Sequence, residues 1–172
     1  MSQSIYEVTV PTLLKAFDNL AVVLDKGRAH AEQEKIEPAV LLNMRLYPNM
    51  FTLTRQVQIA SDTAKGALAR LAVVEPPKFE DNEASFAELL VRVEKTQTFV
   101  RTFKAAQIEP SEGRPVVIKF PSRTLNFKNG WDYVLTFVFP NLYFHCTTAY
   151  DILRHCGVPV GKGDFLGAVG NS

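Results

Sequence analysis

The stretch from Trp131 to Cys156 constrains the fold more than any other part of the chain. Apolar residues recur there at helical spacing on more than one side, with Val134, Phe137 and Val138 on one face and Leu135, Phe139, Leu142, Cys146 and Leu153 on another. A helix that is apolar around nearly its whole circumference has to sit centrally among other helices or lie under a subunit interface. Gly157 and Pro159 mark its end, because glycine supplies the turn after a helix and proline does not continue one.

Three further segments have one apolar stripe each. The first opens at Val10-Pro11-Thr12 and carries Leu13, Leu14, Phe17, Leu20, Ala21 and Leu24 inward, with Lys15, Asp18, Asn19 and Lys26 on the other side. Proline is tolerated in a first turn, so this helix is expected to begin near Pro11 and to run to about Glu34. Ile36-Glu37-Pro38 breaks it, and Pro38 starts a short turn through Leu42. NMRLYPNMF is a connection, since Pro48 disfavours helix at Tyr47; Arg45 there is read as a partner in a surface salt bridge.

A second helix spans Thr52 to Val73, with Val57, Ala60, Ala64, Leu68 and Leu71 inward, and stops before Pro76-Pro77. The third, after the acidic linker FEDNEAS, carries Phe86, Leu89, Leu90, Val93, Val100 and Phe103 inward. Glu88, Arg92, Glu94, Lys95 and Arg101 are assigned to its solvated face. Between Glu112 and Lys128, RPVVIKF and TLNFK flank a PSR turn and read as a β-hairpin closed by Asn129-Gly130. The glycine-rich tail VGKGDFLGAVGNS is expected to lack regular structure, with Phe165 and Leu166 as anchors.

The fold class is therefore all-α, a four-helix bundle with a small β-hairpin inserted between helices three and four, in one domain over residues 1–172. The long third connection predicts an order other than up-down-up-down. With 47% hydrophobic and 22% charged residues and a net charge of +1, the chain has material for a core. It has no basic run to neutralise a phosphate backbone, so no nucleic-acid partner is expected.

Neither a signal sequence nor an apolar run of roughly 20 residues is visible, so no membrane partner is expected and the chain is placed in the cytoplasm. Cys146 and Cys156, about 15 Å apart on one helix, are read as buried thiols beyond disulfide reach.

Candidate site residues lie on helix four. Asn141, His145, Thr148 and Ile152 continue the inward face at i, i+4, i+7 and i+11, which points three polar side chains at the core, where each needs a partner. Pro140 removes a helical hydrogen bond and is expected to kink the helix and free the carbonyl of Thr136. His145 reads as a hydrogen-bonded core residue, a ligand or an acid/base group. His155, about 15 Å further along the axis, cannot join it in a metal shell. His30 and His155 are read as structural residues near helix C-termini, and Asp62 as a local partner of Lys65 or Arg55. Cys146 neighbours His145 but lies on another face, which argues against a nucleophile pair. Trp131, Tyr133, Tyr143, Phe144 and Tyr150 read as packing or dimer interface.

The stretches LLNMRLYPNMFTLTRQVQIASDTAKGALARLA and FPNLYFHCTTAYDILRHCGVPVGKGDFLG, with the opening IYEVTVPTLLKAFDNLAVVLDKGRAHAE, resemble a bacterial domain-of-unknown-function family. That family is part of the DinB/YfiT-like superfamily, whose members are regarded as metalloenzymes. The resemblance implies a DinB-like bundle holding a divalent metal on three histidines, one from helix two and an H-x-x-x-H pair from helix four, with thiol-dependent S-transferases among its members. Matching the LR of TTAYDILRH puts His145 on the second histidine of the pair and Asn141 on the first. Helix two has no histidine, so Gln58 or Asp62 stands in.

Zinc and nickel sites lean on imidazole or thiolate, so a set of His145, Asp62 and Asn141 is a weakened one. Three readings follow. The first is an altered site that binds a small polar ligand through Asn141, His145, Thr148 and Gln58. The second is a metal-dependent enzyme of the thiol S-transferase or hydrolase type on His145, Asp62 and Asn141. The third is a homodimer without catalysis.

Overall fold

The computed structural model describes residues 3–170. Four long helices form the bundle: α1 (Ile5–Glu34), α3 (Leu53–Ala72), α4 (Phe86–Arg101) and α7 (Phe139–His155). Short elements fill the connections: α2 (Pro38–Leu42), α5 (Ala105–Ile108), a 3-10 turn at Glu109–Gly113, strands β1 (Val116–Lys119) and β2 (Thr124–Phe127) and α6 (Gly130–Tyr133); α8 (Lys162–Leu166) follows α7. Among the described residues no helix is long and apolar enough to cross a membrane.

Both α1 and α3 pack against α4 and α7, which places α1 opposite α3 and α4 opposite α7. The bundle is thus not up-down-up-down. The connections that cross a diagonal, 35–52 and 102–138, hold the extra elements of the bundle, whereas the α3-to-α4 connection joins neighbours. Leu13, Phe17, Leu24, Leu53, Val57, Leu68, Leu89, Val138 and Leu142 are buried at the centre. Ala60, Ala64 and Ala67 are fully buried too, and their small side chains leave room for neighbouring helices to approach α3.

Several local expectations change. Helix α1 begins at Ile5, not at Pro11, because Ser4 and Glu7 form a reciprocal capping box: Glu7 N–H donates to Ser4 Oγ at 3.3 Å and Ser4 N–H to the Glu7 carboxylate at 2.9 Å. Pro11 then lies inside the helix on an exposed face. Ahead of Pro140 in helix four, a π-helical turn over Val134–Val138 joins α6 to α7, with Phe139 N–H reaching back five residues to Val134 O.

The tail is not irregular, since α8 forms there. Asp164 caps it, Lys26 pairs with Asp164 at 2.7 Å, and Asn19 donates to Phe165 O at 2.8 Å. Asn129 caps α6 rather than only closing the hairpin, accepting from Asp132 N–H at 2.9 Å. Gly130 is needed where it stands, because a Cβ would come within 2.8 Å of the Ser111 backbone oxygen. Among the described residues Arg45 has no salt-bridge partner, and it donates to the carbonyls of Pro48 and Met50.

The hairpin turns Val116 and Ile118 inward, opposite Phe127 and Leu125. Arg114 beside it donates to Arg70 O and Leu71 O at 3.1 and 2.8 Å, partnering carbonyls at the C-terminal end of α3.

Candidate functional site

Two polar seams run along α3. The seam facing α7 is neutral. His145 is buried, and its Nδ1 lies 2.6 Å from Gln56 Oε1. Gln56 spends its amide N–H on Phe51 O at 3.2 Å, so its oxygen faces the imidazole and accepts the Nδ1 proton. That fixes the tautomer and leaves a lone pair on Nε2.

Among the described residues Nε2 has no hydrogen-bond partner, yet it is not sealed off. The buried side-chain polar atoms without a partner are Thr9 Oγ1 and Arg92 Nε. Burial, with a smaller contribution from the Arg55 cation, holds His145 below the ordinary imidazole value, which favours the neutral ring.

One turn earlier, Asn141 Nδ2 donates to Thr63 Oγ1 at 2.9 Å, and Asn141 Oδ1 is likewise left without a partner. Thr148 bonds back to Phe144 O at 2.7 Å and is occupied within its own helix. Cys146 faces away from this seam, towards α1. His30 is half-buried on α1, and His155 is exposed in the last turn of α7.

The seam facing α4 is charged. Arg92, 2% exposed, donates to Glu83 at 2.8 Å and lies 3.2 Å from Asp62 and 3.0 Å from Asp81. It was assigned above to a solvated face; the acidic linker folds over it instead. Asp62 also pairs with Lys65 at 3.0 Å, and Lys65 lies over the Phe79 ring. Gln58 belongs to this seam, accepting from Arg55 at 3.0 Å and donating to Glu83 at 2.8 Å. Burial opposes the Glu83 charge, but hydrogen bonds from Arg92 and Gln58 outweigh it and hold the carboxyl below its usual range.

The structure therefore brings Asn141 and His145 together on one seam and places Gln58 and Asp62 on the other. A divalent metal does not fit these donors. The set offers one imidazole, a neutral amide tied to Thr63, and a carboxylate held by two cations on another face of α3. Among the described residues no group of three or more His, Cys, Asp or Glu is placed to hold an ion.

A family model described as a domain of unknown function, DUF1993, matches residues 5–166. The chain belongs to the DUF1993 family. The solved structure of a DinB family member protein from Shewanella denitrificans is 41% identical to this DUF1993 chain, with a TM-score of 0.88, covering 98% of this chain and 94% of that one. No curated protein matches it. The DinB-like bundle inferred from the sequence is thereby supported at the level of fold and family.

Gln56, Thr63, Arg92 and Glu83 are partners in these two seams that the sequence reading did not single out as candidates. A signal for the first two existed: Gln56, Ala60, Thr63 and Ala67 repeat the i, i+4, i+7, i+11 spacing of Asn141, His145, Thr148 and Ile152, a small-and-polar stripe that matches the polar stripe opposite. Arg92 gave no such signal, because its burial depends on the linker 77–83 folding back.

Proposed function

We propose that this DUF1993 chain is a DinB-like protein with an altered site, binding a small polar molecule at the seam between α3 and α7. The observation that carries the reading is the His145 imidazole, held neutral and oriented through Nδ1 by Gln56 with Nε2 open. Asn141, whose Oδ1 is the second acceptor, is one turn away, its backbone about 6 Å along the axis. Two acceptors at that spacing select a ligand with two donors, such as a polyol, an amide or an amine. Gln58 and Thr148 are engaged elsewhere, so the recognition pair is His145 and Asn141.

The test is thermal unfolding of tag-free protein against panels of those three classes. A ligand at a hundred times its Kd adds about 2.7 kcal/mol, a rise in Tm of roughly 5–10 °C for a chain of this size. His145→Phe and Asn141→Leu should each remove the rise. No stabilisation by any class, or stabilisation that survives both substitutions, contradicts the reading.

Exposed apolar side chains support a second, compatible reading, a homodimer. Leu135 and Phe144 on the outer side of helix four are 54% and 56% exposed, and Tyr47 and Phe51 in the loop before α3 are 64% and 55% exposed. Light scattering at micromolar concentration should give twice the chain mass, and Phe144→Glu should reduce it. A monomer in the unsubstituted protein contradicts pairing.

A further inference from the structure

On the opposite side of α7 from His145, a cleft of about 260 Å³ opens between α1, α7 and the C-terminal segment. Leu20 and Val23 of α1, Tyr143 of α7, and Phe165, Leu166 and Val169 of the tail form its walls. Burial pushes the Cys146 thiol at its edge up to about 12, so at neutral pH the group is a protonated apolar surface. An apolar cavity of roughly 150 Å³ is enough to hold benzene, so this one has room for a longer apolar group.

The polar groups of the cleft are few, and most are used. Thr12 Oγ1 donates to Val8 O at 2.6 Å, and Asn19 Nδ2 donates to Phe165 O at 2.8 Å. Lys15 Nζ gives one hydrogen bond to Ala168 O at 2.9 Å and keeps two N–H groups. The Tyr143 hydroxyl has no partner among the described residues, and burial raises its pKa, so it stays a donor at neutral pH. Lys15 is the one charged side chain lining the cleft among the described residues. What remains for a ligand is therefore an apolar wall and two donors, one of them cationic.

We infer that this cleft binds a medium-chain monocarboxylate, its alkyl chain lying against Leu20, Val23 and Phe165 and its carboxylate accepting from Lys15 and Tyr143. Amphipathic charge complementarity selects this class: an alkylammonium would face Lys15 as a like charge, and an alcohol would forgo the ion pair. The site is separate from the seam of His145 and does not depend on it.

Octanoate is the probe, titrated into the full chain by calorimetry and by backbone amide shifts, with octanol as the neutral counterpart. The expected result is saturable one-to-one binding, with shifts confined to 12–23, Tyr143, Cys146 and 161–170. Octanoate should bind about fivefold more tightly than octanol, the scale of one partly exposed ion pair. Lys15→Met should erase that difference by weakening octanoate, Lys15→Arg should restore it, and His145→Phe should alter neither. Absence of saturable binding, equal affinity for the acid and the alcohol in the unsubstituted protein, or shifts centred elsewhere would overturn the assignment.

Discussion

The two seams of α3 solve the same problem, polar groups inside a bundle, in opposite ways. Against α4, Arg92 meets Glu83, Asp62 and Asp81, and the linker from Pro77 to Glu83 closes over the pairs. Against α7, the groups are neutral and fewer, and one acceptor on each of His145 and Asn141 is left open. A charged cluster has to be nearly saturated, because an uncompensated buried ion is expensive. A neutral one can keep an unused lone pair that meets solvent at little cost. The charged seam therefore acts as a clamp, and the neutral seam is the one to which ligand recognition is assigned in the proposed function.

That contrast can be broken from either side. Arg92→Met should have the largest effect, a loss of about 3–5 kcal/mol in urea unfolding, because it strands Glu83 and releases the linker. Gln56→Leu should cost less, about 1–3 kcal/mol, by leaving the Nδ1 proton of His145 and the Phe51 carbonyl unpaired.

A smaller effect is a pH dependence of stability. His145 is held below its ordinary value of 6.5, so as pH falls through 6.5 the unfolded chain takes up a proton that the folded chain still refuses. Stability is thus complete above pH 6.5, falls as pH drops towards the folded pKa, and levels off below it. Comparing unfolding curves of the protein and of His145→Phe across that window should show the corresponding part of the slope missing in the variant. Smallest of all, Asp62→Asn should cost less than about 1 kcal/mol, since Asp62 is 47% exposed and its pairs are screened by solvent. A loss as large as that of Arg92→Met would mean that Asp62, not Glu83, anchors the clamp.

The bundle was legible because its signals are local and repeated: apolar residues at helical spacing, prolines at Pro38 and Pro76-Pro77, and Gly157 after the last helix. The inward placement of His145 and Thr148 followed from the same periodicity, and both are buried. What the sequence did not show depends on contacts distant along the chain. Gln56 and His145 are 89 residues apart. Gln58 and Asp62 were set beside His145 by the family resemblance, as stand-ins for a helix-two histidine, and helical phase alone does not say which neighbour a face of α3 meets. The charges around Arg92 looked like solvated surface because the burial comes from a linker whose composition resembles a loop. The start of α1 was misplaced because Pro11 is a stronger local signal than the Ser4–Glu7 box, though the box sets the boundary.

His145 stands neutral in the folded chain, with its proton on Nδ1 and a lone pair on Nε2. Long-range proton–nitrogen correlation NMR of the imidazole at neutral pH tests it directly. A protonated Nδ1 and an unprotonated Nε2 are expected, with Gln56→Leu shifting the balance towards the other tautomer. An imidazolium, or a proton resident on Nε2 in the unsubstituted protein, would contradict it.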